Sequence, residues 1–276
     1  MIKKVIKSAG TTRFDKILED IKSIKVQGAE NVAKAGIKAF LLRSDKKSAK
    51  KIIETRPTEP LLQNAIKLLL KSKSPKKEAD NFLKDLKKSH EAIAKKGAML
   101  IKKNMNVYTH CHSSTVMDLL KYAKRKKKKD FVVYTSEVEP ILQGHLTAQD
   151  LAKARIKVIV SPDLAAEQTL KKCDILLFGA DAFTPSAVIN KIGTSTLCKI
   201  AKDKGIPRFA CGVSKKFTKK IKVEKRSGKE VWDERNKMIE VTNPAFDRTN
   251  KKLVSGVISE FGILTYRQFI KKAKSS

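Results

Sequence analysis

The sequence predicts an α/β fold, a helical amino-terminal domain followed by a Rossmann-like parallel sheet. Three observations predict it. Up to residue 103, apolar residues recur only at helical spacing. From Asn104 onward, short apolar runs alternate with helical patterns, the rhythm of strand–helix–strand units. No G-x-G-x-x-G opens the first of these units, so the sheet lacks the dinucleotide fingerprint. The predicted domains are 1–103 and 104–276.

The helical part begins over residues 11–43, where Phe14, Ile17, Leu18, Ile21 and Ile24 are followed by Val32, Ala35, Ala39 and Leu42. Gly28 interrupts the series and marks a turn between two helices. Lys46–Ile53 forms a short helix that Thr55-Arg-Pro-Thr58 stops, and Thr58 is placed to cap the next, Glu59–Lys71. Lys73–Lys77 reads as a basic loop. Glu78–Ile101 is a long amphipathic helix with Phe82, Leu86, Ile93 and Leu100 on its apolar side.

In the second part, strands are expected at 106–109, 131–135, 157–160, 175–178 and 208–212. Helices are expected at 114–125, 146–154, 165–172 and 194–204. Each strand run is too short for a core helix. The lysines of 124–129 suit a helix end, where cations complement the dipole. The stretch between the strand at 175–178 and the helix at 194–204 reads as a loop, and 215–235 as a basic, irregular surface segment. The stretch from Asn243 through Leu264 is expected to supply a last strand closing the sheet.

No apolar run approaches the ~20 residues that span a bilayer, and Met1–Lys7 lacks a signal-peptide core, so a cytoplasmic protein with no membrane partner is expected. Four cysteines without a C-x-x-C pair indicate neither a disulfide scaffold nor a zinc site. The net charge of +33 attracts polyanions such as RNA, ribosomes, nucleotides or sugar phosphates. Lysines are scattered along the whole chain and only 6% of residues are aromatic, so a lysine-rich proteome explains the charge equally well.

Two places carry candidate chemistry. Asp181 follows the run Asp174–Phe178, at the carboxyl end of a strand, where ligands of open sheets sit. Beyond it, Asn190, Lys191 and the amides of 193–195 at a helix start are placed to hold a phosphate. Cys111 follows the first strand, between His110 and His112. It reads either as a buried filler beside surface histidines or as a thiol whose pKa the next helix lowers. If Cys111 and Asp181 meet across the crevice, they make a proton-transfer pair.

The run Gly179-Ala-Asp181 to Ala187-Val-Ile-Asn-Lys-Ile-Gly-Thr194 resembles the shared core of the initiation factor 2B-related family. Thr55-Arg-Pro-Thr58, Thr109-His-Cys111, Gln143-Gly144, Leu146-Thr-Ala148 and Asn243-Pro-Ala-Phe-Asp247 match it in order across nearly the whole chain. That family holds regulatory subunits of initiation factor 2B, methylthioribose 1-phosphate isomerase and archaeal ribose 1,5-bisphosphate isomerase. The resemblance implies catalytic roles for Cys111 and Asp181. It implies substrate binding by Gly28, Arg56, Gln143, Asn190, Lys191 and Lys216, and requires no metal or cofactor. It also implies a homo-oligomer, a dimer or hexamer. Two functions are implied: an aldose–ketose isomerase acting on ribose 1,5-bisphosphate or a relative, or a non-catalytic protein binding a nucleotide or sugar phosphate and contacting initiation factor 2 or the ribosome. Gln27, Glu139 and Glu167 stand where the isomerases carry arginines, which favours the second, but the retained Cys111–Asp181 pair makes the isomerase the expected function and the regulatory protein the alternative.

Overall fold

The computed structural model describes residues 12–275. The amino-terminal segment Met1–Lys7 and Thr11 at the expected start of the first helix lie outside the described residues.

Five helices come first: α1 (Arg13–Lys22), α2 (Ala29–Leu42), α3 (Lys46–Glu54), α4 (Pro60–Lys71) and α5 (Pro75–Gly97). Thr12 and Asp45 accept backbone N–H bonds at the starts of α1 and α3. Pro60 and Pro75 sit in the first turns of α4 and α5, where a missing N–H costs nothing. Lys76 and Lys77 therefore belong to the first turn of α5 and not to a loop. Thr58 does not cap α4; its hydroxyl accepts the Glu224 N–H at 2.8 Å.

The second part builds β1 (Met105–His110), α6 (Ser114–Lys127), β2 (Phe131–Ser136), α7 (Gln143–Lys153), β3 (Lys157–Ser161), α8 (Ala166–Leu170) and β4 (Ile175–Gly179). The chain continues with β5 (Ala182–Phe183), β6 (Ala187–Lys191), α9 (Thr194–Asp203), β7 (Arg208–Cys211), β8 (Phe246–Asn250), β9 (Gly256–Ser259), β10 (Gly262–Leu264) and α10 (Tyr266–Lys274). The main sheet runs β10-β9-β7-β4-β1-β2-β3, parallel except for β10. All five expected strands lie in it.

The carboxyl-terminal expectation needs correction. The stretch from Asn243 to Leu264 supplies three strands: β9 and β10 close one edge of the main sheet, as expected, whereas β8 pairs with β6, and β6 in turn with β5, in a separate antiparallel sheet. Residues 187–191 are thus a strand held on both sides, not a loop. The helix α10 was not anticipated.

Alternating residues of the main sheet face opposite cores, as the strand period of two requires. Val107, Val133, Ile175 and Leu177 pack with α5, α6 and the other amino-terminal helices in one continuous apolar cluster. Tyr108, Leu176, Phe178 and Ala210 pack on the other face with α9 and α10. Among the described residues, no helix is long and apolar enough to cross a membrane.

Candidate active site

Strands β1 and β4 are neighbours, and the chain leaves them in opposite directions across the sheet, β1 toward β2 and β4 toward β7. A crevice opens at the carboxyl ends of two strands whose crossovers diverge. Cys111 and Asp181 are the residues delivered there, and both line a cavity of about 430 Å³. The turn at 24–28 with the first turn of α2, Arg56 and Glu59 close it from the helical side, and Glu224, Arg226 and Glu230 from the segment after β7.

Cys111 has φ +66°, a left-handed conformation that costs energy in a residue with a Cβ. Its thiol donates to Gln143 Oε1 at 2.8 Å, in the first turn of α7, one turn earlier than that helix was expected to begin. Burial pushes the Cys111 thiol up to about 12; nearby Asp181 adds to the shift and Lys191 opposes it. The expected lowering at a helix start is therefore reversed, because desolvation outweighs the dipole. Neither flanking imidazole reaches the thiol, although the His112 backbone N–H also opposes the upward shift. His110 Nε2 lies 2.8 Å from the Ile192 carbonyl, and His112 Nδ1 lies 3.1 Å from the Thr147 hydroxyl.

Asp181 is fixed by its own N–H, which donates to the Ile189 carbonyl at 2.9 Å. Burial raises its pKa, against the pull of Lys216 and Arg56. The Lys216 ammonium donates to the Ala180 carbonyl next door. Gly179 is required by close approach, since a Cβ there falls 2.5 Å from the Ser113 hydroxyl. Asn190 and Lys191 lie buried on β6 and line the cavity. Asn190 donates to the Thr194 hydroxyl at 3.0 Å, whereas the Lys191 ammonium makes no hydrogen bond or ion pair among the described residues.

The amides at the start of α9 do not hold a phosphate. The Asp247 carboxylate accepts the N–H groups of Gly193 at 2.9 Å and Ser195 at 3.1 Å, so the helix start is already satisfied. Of the three departures from the family's arginines, only Gln27 lines the cavity. Glu139 is exposed, and Glu167 is exposed and paired with Lys171 at 3.1 Å. Gly28, with φ +82°, turns the chain into α2 at the cavity mouth.

Arg56 lies in the wall, as expected, but its guanidinium is engaged by Glu59 at 3.2 Å and Glu224 at 3.0 Å. Glu59 was missed as a site residue, since an acid opening a helix reads as a partner for the helix dipole. It is buried, and desolvation with nearby Asp181 lifts its pKa to about 8. Glu224, Arg226 and Glu230 were read only as part of an irregular basic stretch.

A family model, the initiation factor 2 subunit family, matches residues 17–266. The chain belongs to this family. It is 33% identical to the ribose 1,5-bisphosphate isomerase of Methanocaldococcus jannaschii, over 89% of each chain. It is 30% identical to a putative translation initiation factor eIF-2B subunit 2-like protein of Pyrococcus furiosus, over 90% of this chain and 95% of the relative. Among solved structures, the Pyrococcus horikoshii translation initiation factor eIF-2B superposes with a TM-score of 0.84 at 27% identity, covering 94% of this chain and 98% of that one. This family member thus shares its whole fold both with proteins named as isomerases and with proteins named as translation factors.

Proposed function

We propose that the protein is an aldose–ketose isomerase converting ribose 1,5-bisphosphate to ribulose 1,5-bisphosphate. The observation that carries the reading is the placement of Cys111 and Asp181 on one cavity at the switch point of the sheet, beside Lys191. The relative at 33% identity that bears this isomerase's name supports it.

The groups suit the proton movements of the reaction. Asp181, held toward its protonated form, gives a proton to the ring oxygen as that oxygen leaves C1 with the bonding pair. Cys111 acts here in its thiolate form, which Lys191 and the His112 N–H favour against burial; it removes the C2 proton, and the electrons of that bond form the C1–C2 double bond of an enol phosphate. The thiol then returns its proton to C1, while the Asp181 carboxylate accepts the proton of the C2 hydroxyl and leaves the ketone. Protons and electrons balance within the substrate and these two groups. Protonation of Asp181 also removes one of the two influences that hold the thiol up. Lys191, in no ion pair among the described residues, is a cation available to a phosphate.

The test is ribulose 1,5-bisphosphate formation from ribose 1,5-bisphosphate by the wild type and by Cys111→Ser. Loss of roughly 10²–10⁴-fold in kcat with an unchanged melting temperature is expected. Equal turnover by the two proteins would remove Cys111 from the reaction.

A second reading, a non-catalytic translation regulatory protein contacting initiation factor 2 or the ribosome, is favoured by the carboxylates set on Arg56. It predicts a thermal shift with sugar phosphates but no turnover. Under either reading we place the protein in the cytoplasm as a homo-oligomer, dimer or hexamer, with domains 1–103 and 104–276 meeting at the cavity.

A further inference from the structure

A sugar bisphosphate needs two anion sites, and one candidate in the cavity is filled by the protein itself. Arg56 Nε donates to both oxygens of Glu224, at 3.0 and 3.3 Å. Arg226 approaches the same carboxylate at 3.9 Å. The side chains of Arg56 and Glu224 are each only 9% exposed, and all three residues line the cavity. That Nε–H is shared between the two carboxylate oxygens, and a guanidinium presents the same donors to a phosphate.

The surroundings suit an exchange of anions. Glu59 takes the Arg56 Nη2 on one oxygen, while its Oε2 is buried without a hydrogen-bond partner. With its pKa lifted to about 8, Glu59 is protonated at neutral pH and offers a donor to an incoming phosphate instead of a repelling charge. Glu224 is tethered by its backbone, whose N–H donates to Thr58. Its side chain is therefore free to swing away without releasing the segment. Arg226 retains Glu230, which accepts its Nε at 3.1 Å.

Resting on the isomerase reading above, we propose that Arg56 and Arg226 form a second phosphate subsite. Glu224 is its specificity-determining residue, an internal carboxylate that the distal phosphate of a sugar bisphosphate displaces. A ligand with one phosphate, held at Lys191, leaves Glu224 in place. The exchange involves ion pairs and hydrogen bonds only.

The experiment compares wild type with Glu224→Gln, which keeps the Thr58 bond and the side-chain volume. Inorganic phosphate binding is measured by calorimetry, and KM is measured for ribose 1,5-bisphosphate and for ribose 1-phosphate. Phosphate binding roughly tenfold tighter is expected in the variant, the scale of one charge-assisted bond no longer competing. KM for the bisphosphate falls with it, and the monophosphate values do not move. Arg226→Gln placed on Glu224→Gln reverses the gain. Should Glu224→Gln fold poorly, Glu224→Asp, which draws the carboxylate back from Arg56, gives a smaller gain of the same sign. Phosphate binding unchanged or weakened in the folded variants overturns the proposal, whether or not the wild type isomerises anything. Tighter phosphate binding with no turnover of either sugar by the wild type leaves the subsite standing and rejects the isomerase reading.

Discussion

On the sheet side of the cavity, Cys111, Asp181 and Lys191 stand at strand ends, and none of them is in an ion pair among the described residues. Lys191 makes no ion pair among the described residues, and the pKa values of the thiol and the carboxylate are pushed up by burial. On the helical side, Arg56 is bonded to Glu59 and Glu224, and Arg226 to Glu230. Both walls are buried and both carry charge. Burial moves the proton affinities of the sheet wall's groups away from their values in water, as is common where protons are transferred. The helical wall has neutralised itself, which is what orientation and selection need. A net charge of +33 therefore says little about the field at this site, because carboxylates gather where the cations face the cavity.

The comparison can be broken from the sheet side first. Asp181→Asn removes the group that trades protons with the sugar oxygens, and kcat should fall by roughly 10²–10⁴-fold. Full activity in this variant would make the sheet wall a binding surface only. The helical wall is sharpened next by a pH series on stability. Glu59 has a folded-state pKa above its unfolded value, 4.5 raised to about 8. The folded state therefore holds the extra proton across that window, and stability is highest below it and falls as pH rises through it. Chemical denaturation of wild type and Glu59→Gln between pH 5 and 8 should show the slope in the first and a flatter line in the second. Parallel lines would mean that Glu59 is ionised throughout.

Smaller effects test what supports each wall. Asp247→Ala leaves the Gly193 and Ser195 amides without their acceptor and should cost about 1–3 kcal/mol in urea unfolding. Added inorganic phosphate that restored this stability would return an anion site to the start of α9. Thr58→Val removes the acceptor for the Glu224 N–H and should cost about 1 kcal/mol while leaving Cys111 chemistry intact. A fall in kcat instead of in stability would show that the two walls act as one unit.

The main sheet was legible because its strands are short apolar runs such as Ile175–Phe178, buried on both faces. The second sheet was not, since Phe246-Asp-Arg-Thr-Asn250 is polar at four positions and carries no strand signature. The helix α10 had a readable signal in Thr265 and Gln268, which form a capping box. Cys111 and Asp181 were legible as positions because each lies just past the carboxyl end of a strand, while their catalytic pairing came from the family resemblance. The thiol's raised pKa was not, because it depends on what covers the residue and not on the helix that follows it.

By itself the sequence determined the order of elements, the alternation that makes the sheet parallel, and the two residues delivered to its switch point. These are local properties, set by spacing and by strand ends. The tertiary structure alone decided which groups are engaged. Asp247, more than fifty residues from Gly193, takes the amides that local pattern assigned to a phosphate. Glu224, 168 residues from Arg56, takes the guanidinium. Charges pair through space, and where folding brings them within a few ångströms in a buried wall, Coulomb attraction strengthened by the low dielectric decides the partner.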